Sequence, residues 1–286
     1  GIAKARQGNL SKDPIARSQI RGERLFLDLS SIKSISYGQA KFWLMVLEDS
    51  TDFFWSRFLK KKSELCEKTI VLIKDLKSKH GITVKYIRCD DAGENTKLEE
   101  ACLKEGLGIQ FEYTAPGTPQ RNGRVERKFT TLYGRVRATM DNAGLPDKLR
   151  KGLWAECART ATTIENMIVT PTKPVSSYSQ FFEKEHPFAR SLNTFGDIGV
   201  MANHADKKIQ GKFADRGKIA MFIGYPDNHA SDTYRMFSLN TAERVVKSRD
   251  VLWLNKSYGK YHSEDAHDSD DDDFTDTPDL DAGRVT

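Results

Sequence analysis

No apolar run in this sequence approaches the ~20 residues that a membrane-crossing helix needs. The longest, such as Phe42–Leu47 and Ile219–Ile223, have the length of strands, and the mean hydropathy is −0.58, so a soluble chain with no membrane partner is expected. The first residue is Gly1, with no Met, no charged n-region and no apolar h-region after it. A secretory signal is therefore not expected, and the chain reads as a piece processed or excised from something longer. Cysteine is scarce: Cys66, Cys89, Cys102 and Cys157 form no C-x-x-C pair, and the six histidines do not fall at zinc-ligand spacing around them. This excludes an encoded zinc site and points to reduced, mostly buried thiols in an intracellular protein. Also missing are the G-x-G-x-x-G and Walker patterns, which removes a nucleotide-binding doubly wound sheet from consideration.

What is present suffices for real cores. Of 286 residues, 38% are hydrophobic and 10% aromatic, enough for about two domains at roughly 150 residues each. The net charge of +5 hides an asymmetry: residues 263–286 hold ten acidic side chains and one Arg, so the rest of the chain carries +14. Such a body suits a polyanion, with an acidic tail attached to it; both could equally be solvated surface.

Residues 1–22 read as a basic lead-in with little to bury. Three short apolar runs follow, around Leu25–Leu29, Phe42–Leu47 and Phe53–Phe58, as a β-meander. Ser63 can cap a helix that Gly81 stops. Val84–Ile87 predicts a strand, Thr96–Glu105 a short helix ended by Gly106 and Gly108, and Ile109–Tyr113 a fifth strand. Val125, Phe129, Leu132, Val136 and Met140 recur at spacings of four, three, four and four, making 120–141 an amphipathic helix; another follows over 147–168. The order βββαβαβαα predicts a mixed α/β sheet flanked by helices. Beyond Pro171 and Pro174, the segment 171–194 reads as linker. Ile198–Met201, Ile219–Tyr225, Tyr234–Leu239 and Arg244–Leu252 then predict a small β-barrel over 195–256, closed by Trp253. The remainder, 257–286, reads as an acidic disordered tail.

Three carboxylates stand out by position. Asp28 interrupts an apolar strand, where a charge is costly unless paired or metal-bound; Asp90 falls just after the fourth strand; Glu126 is the only acid among residues 119–140, on a helix rich in Arg and Lys. Singly, each has a plain reading as a strand-end residue, a turn former or a helical ion-pair partner. Jointly, they come from elements that can converge at one sheet edge, and convergent carboxylates without a buried cation need metal. Hard oxygen ligands suit Mg²⁺ or Mn²⁺, and two such ions suit an in-line phosphoryl displacement.

Thirty-five residues separate Asp90 from Glu126. With Asp28 upstream, this spacing resembles the D,D(35)E signature of retroviral and retrotransposon integrases. The stretches Arg88-Cys89-Asp90-Asp91-Ala92-Gly93-Glu94-Asn95 and Thr118-Pro119-Gln120-Arg121-Asn122-Gly123-Arg124-Val125-Glu126-Arg127-Lys128 resemble the integrase of Ty1/copia-type LTR retrotransposon polyproteins. Lys212–Gly217, Met221–Tyr225 and Ser248–Val251 are similar to the SH3-like domain that follows the core in that family, and Gly1–Gln7 to the stretch after its zinc-binding domain.

The resemblance implies an RNase H-like five-stranded core over 23–170, an SH3-like barrel, and an upstream zinc domain outside this sequence. It further implies metal-dependent processing and strand transfer of DNA 3′ ends, with Asp28, Asp90 and Glu126 as catalytic metal ligands for two ions. Asn122, Arg121, Arg124, Arg127 and Lys128 would meet DNA. Element ends and target DNA would be the partners, self-association into a homo-oligomer is implied, and the acidic tail would serve a host protein. The site of action would be the nucleus, with a stage in a cytoplasmic virus-like particle. Asp91 departs from the family pattern, which more often has Asn or Arg there. A plain RNase H-like nuclease and a non-enzymatic DNA-binding or assembly module are the rival readings.

Overall fold

The computed structural model describes residues 16–114, 119–202 and 217–268, less 228, 231 and 240–243, and excluding the side chains of 119–122 and 265–268. The chain divides into two compact units. One runs to Arg137 and resumes over Lys148–Ser191; the other takes Ala138–Asp147 and the described residues from Leu192 on.

The first unit is built on a mixed sheet of β1 (Arg24–Ser31), β2 (Phe42–Glu48), β3 (Phe54–Leu59), β4 (Tyr86–Asp90) and β5 (Gln110–Thr114), in the spatial order β3-β2-β1-β4-β5. β1, β2 and β3 pair antiparallel, whereas β4 and β5 run parallel to β1. This is the RNase H-like arrangement. Alternation along β1 sends Leu25 and Leu27 to one face, where they join Leu44, Val46, Ile87 and Cys89 in a core that also takes Leu65, Leu72, Ile73 and Leu76 from α1 (Glu64–His80) and Leu98 and Cys102 from α2 (Gly93–Lys104). The other face is covered by α3 (Pro119–Asn142) and α4 (Asp147–Met167). Trp43 anchors it, with Phe129 and Tyr133 of α3 edge-on at 5.3 and 5.2 Å and its indole N–H donating to Ser56 Oγ at 2.8 Å. Gly152 of α4 has to be glycine, since a Cβ there would come within 2.2 Å of the Tyr37 ring.

Several boundaries differ from the sequence reading. Ser63 makes no side-chain cap to α1. β4 ends on Asp90, so that carboxylate is the last strand residue and not part of the following loop. α2 begins at Gly93, three residues earlier than expected, because Ala92 is extended and its carbonyl accepts the N–H groups of Asn95 and Thr96. The expected linker contains α5 (Ser177–Phe182), capped by Ser176, with Phe181 fully buried among Phe53, Trp55 and Phe182. An aromatic cluster of that kind makes the segment core, not linker. In the lead-in, Ser18 is buried, its N–H donating to Asp49.

In the second unit β6 (Asp197–Ala202), β7 (Gly217–Gly224), β8 (Tyr234–Ser238), β9 (Val245–Ser248) and β10 (Val251–Ser257) form an all-antiparallel sheet ordered β10-β6-β7-β8-β9. This is the SH3-like domain. The single strand expected over Arg244–Leu252 is two, broken at Arg249, whose guanidinium pairs with Asp232. Trp253 packs on Tyr234 and Phe222 at 5.2 and 5.9 Å. Gly196 sits at φ +97°, and a Cβ there would meet Ala143 Cβ at 2.3 Å. The expected tail begins instead as α6 (Tyr258–Asp268); the acidic run 270–273 and residues 1–15 and 203–216 lie outside the described residues.

Candidate active site

Strand register brings the first two carboxylates together. β1 and β4 pair with Arg24 beside Tyr86, Leu25 beside Ile87 and Phe26 beside Arg88. Carried two residues further, the same register sets Asp28 level with Asp90, on the face that also bears Phe26 and Arg88. Helix α3 crosses that face. The Arg124 guanidinium lies 5.3 Å from the centre of the Phe26 ring and Tyr133 donates to Ser30 Oγ at 2.6 Å, so Glu126 falls along the stretch of β1 that holds Asp28.

The electrostatics register this convergence. Burial pushes the Asp28 carboxyl up to about 6; the Leu29 N–H opposes the shift, and the charges of Asp90 and Glu126 add to it. The charge of Asp28 also helps to raise the Tyr133 phenol, after burial and against the hydrogen bond with Ser30. Asp90 and Glu126 are exposed. Among the described residues, no three His, Cys, Asp or Glu side chains lie close enough together to hold one metal ion as they stand. The donor chemistry nonetheless fits a hard divalent cation: the carboxylates of Asp90 and Glu126 both act on Asp28, and no Lys, Arg or His contributes to its shift.

A residue overlooked in the sequence holds the second carboxylate. Buried Asn95, in the first turn of α2, donates from Nδ2 to Asp90 Oδ1 at 2.6 Å and to the Asp90 carbonyl at 3.1 Å. The early start of α2 creates this contact. Lys62, in the turn after β3, donates to Glu94 Oε1 at 2.8 Å; that bond and the charge of Glu94 raise the ammonium's pKa, and Asp90 adds to the shift. Asp91 is exposed beyond the strand end, and burial, followed by Asp90, Glu99 and Asp91, pushes the Cys89 thiol up to about 12. All four cysteines are free thiols, and Cys89, Cys102 and Cys157 are buried.

The basic side chains of α3 do not form the free face that a helical spacing of four suggests. Arg124 is paired to Asp49 and Asp52, and Lys128 lies 3.4 Å from Glu165 and over the Phe54 ring at 5.0 Å. Both are turned into the protein because their acidic partners, distant in sequence, are brought under the helix by β2, the β2–β3 turn and α4. Arg127 is exposed. The side chains of Arg121 and Asn122 lie outside the described residues.

Residues 200–266 match the retroviral polymerase SH3-like domain family. The chain is 30% identical over 223 residues to the retrovirus-related Pol polyprotein from transposon TNT 1-94 of Nicotiana tabacum, covering 76% of this chain and 16% of that protein. It is 24% identical over 245 residues to the Pol polyprotein from transposon RE1 of Arabidopsis thaliana, covering 84% and 16%. The chain thus spans 16% of the length of these two relatives. Among solved structures, it is similar to a chain of the simian T-cell lymphotropic virus intasome bound to the PP2A regulatory subunit B56 gamma (15% identity, TM-score 0.46, 87% of this chain and 84% of that one). It is similar also to the catalytic core domain of BIV integrase (17% identity, TM-score 0.42, 57% and 95%). The chain is a relative of the copia-type transposon Pol polyproteins, carrying a retroviral polymerase SH3-like domain in its second unit.

Proposed function

We propose that this chain is an integrase that processes DNA 3′ ends and joins them to target DNA, with Asp28, Asp90 and Glu126 as its catalytic carboxylates. The observation that carries the reading is that strand register sets Asp28 level with Asp90, while burial first, and then the charges of Asp90 and Glu126, push the Asp28 carboxyl up to about 6. Like charges gathered in one place are unfavourable unless a cation joins them. The 30% identity to a Pol polyprotein supports the same reading.

Asp28 and Asp90 would hold two Mg²⁺ or Mn²⁺ ions with Glu126. Bound there, the metal would polarise the phosphodiester and make the attacking hydroxyl a better nucleophile. Asn95 would fix one oxygen of Asp90 and leave the other for the metal. In the first displacement a water oxygen bonds to phosphorus and the bond from phosphorus to the retained strand's 3′-oxygen breaks; that oxygen takes up the water's proton as a free 3′-hydroxyl, and the removed nucleotides leave with the phosphate on their 5′ end. In the second, that 3′-oxygen bonds to a target phosphorus and displaces the target strand's own 3′-oxygen, which takes up the proton. No covalent bond to the protein is needed, and the contribution of the chain is positioning and charge. DNA ends, target DNA and a second copy of the chain would be the partners, acting in the nucleus; the acidic segment would serve a host protein.

The absence, among the described residues, of three side chains closed around one ion site favours a second reading, a DNA-binding module without activity. Incubation with a duplex labelled at a 3′-hydroxyl end separates the possibilities. Joined product in Mg²⁺ or Mn²⁺, abolished by chelator, supports the integrase; cut but unjoined DNA indicates a nuclease; binding indifferent to metal and without product indicates the module.

A further inference from the structure

With Arg124 and Lys128 tied to Asp49, Asp52 and Glu165, two of the four cations that α3 was expected to offer a polyanion are spent inside the protein. Unspent ones lie elsewhere on the first unit. β1, β3 and β4 run in one direction, so their C-terminal ends share a sheet edge with the start of β2. Lys33 follows β1, Lys41 precedes β2, and Lys60, Lys61 and Lys62 follow β3; all five are exposed. The backbone draws them into a row, since Ile32 N–H donates to the Lys41 carbonyl at 2.9 Å and Lys41 N–H to the Leu59 carbonyl at 2.8 Å. On the far side of β1 the same edge carries Asp90, whose charge reaches Lys62.

The acids near the row are few. No acidic residue occurs between Lys33 and Lys41 or among residues 59–63; Glu94 pairs with Lys62, and Glu64 accepts the Lys60 backbone N–H. Among the described residues, Lys33, Lys41, Lys60 and Lys61 make no ion pair. Four unpaired ammonium groups along one edge are electrostatically complementary to successive phosphates of a nucleic acid strand, which Lys meets as a point charge.

We infer that the row Lys33, Lys41, Lys60, Lys61 and Lys62 is the surface that carries the phosphate backbone of duplex DNA to the carboxylate edge. This rests on the integrase reading for the identity of the polyanion. The contacts give affinity and orientation without reading sequence.

The test compares the wild-type chain with the variant Lys33→Gln, Lys41→Gln, Lys60→Gln, Lys61→Gln by fluorescence anisotropy on a duplex in chelator, over about 50 to 200 mM salt. Thermal melting checks the fold, and joining in Mn²⁺ is measured in parallel. Expected are weaker binding and a plot of log K against log[salt] flatter by about 3, with both restored by the matching four Lys→Arg substitutions. An unchanged slope overturns the inference, as does a loss of binding that arginine fails to restore. Capture of a polyglutamate peptide in preference to duplex also overturns it and points to an acidic protein partner. A variant that binds as wild type beside a wild-type chain that joins DNA refutes the surface and leaves the integrase reading standing. A variant that loses slope beside a wild-type chain that never joins refutes the integrase reading and leaves the surface standing.

Discussion

The two ends of the first sheet treat charge in opposite ways. Where β1 begins, carboxylates are paired with arginines: Asp49 meets Arg24 and Arg124, Asp52 meets Arg17 and Arg124, and Glu112 meets Arg24 and Arg88. Burial alone would raise Asp52, yet Arg17 and Arg124 hold it below the usual carboxylate range. Where β1 and β4 end, acid is set beside acid, and no Lys or Arg contributes to the Asp28 shift. Paired charges at one end maintain the fold; the like charges gathered at the other are what the proposed metal ions would complete.

Removing the centre of the paired end should have the largest effect. Asp49 is 3% exposed at its side chain and takes bonds from Arg24, Arg124 and Ser18 N–H. Asp49→Ala should cost about 3–5 kcal/mol in urea unfolding, because it removes a buried acceptor shared by Arg24, Arg124 and the Ser18 N–H. Arg124→Ala should likewise cost stability while leaving the salt dependence of DNA binding unchanged; a flatter salt slope would return Arg124 to the DNA-binding set.

At the other end the sign reverses. Asp28 keeps its proton up to about pH 6 when folded, against an ordinary value of 3.8. Between those values the folded state binds more protons than the unfolded one, so stability falls as pH rises and the full penalty is present at pH 7. Asp28→Asn, measured in chelator at pH 7, should therefore gain on the order of 2 kcal/mol and lose joining activity. A destabilised Asp28→Asn would erase the contrast between the ends.

A smaller effect sharpens the comparison from outside both ends. Burial pushes the His186 imidazole down to about 4; its Nδ1 accepts the Phe188 N–H at 3.2 Å and the Tyr178 ring centre is 4.4 Å away. Here the unfolded state binds the extra proton, so stability should fall as pH drops from 6.5 towards 4, by about 1 kcal/mol given the partial exposure of the ring. His186→Asn should flatten that limb of the pH–stability curve. Least of all, Lys74→Ala, which removes an exposed pair with Glu105 at 2.6 Å, should change unfolding by no more than about 0.5 kcal/mol.

What was legible in the sequence follows from how far apart the interacting residues are. The short apolar run of β1 and the four-three-four-four spacing of α3 are local, and both elements stand nearly where expected. The Asp90–Glu126 spacing and the charge interrupting β1 were likewise visible, and strand register then set Asp28 level with Asp90. Hidden were contacts made across the chain: Arg124 finds Asp49 and Asp52 from 75 and 72 residues away, and Lys128 finds Glu165 from 37. A helical wheel drawn without those partners turns the cations outward. α5 was missed because its six residues are too few for a periodic signal, and its burial depends on Phe53 and Trp55. The lysine row draws on two separate connections, β1–β2 and β3–α1, and exists only once the sheet is assembled.

If Asp28, Asp90 and Glu126 act as one site, loss of any one carboxylate removes the activity of all three. Asp28→Asn, Asp90→Asn and Glu126→Gln should each abolish Mn²⁺-dependent joining of a labelled DNA end while binding that DNA as the wild type does. Joined product from any one of the three, at the wild-type rate, would contradict the claim and remove that residue from the site.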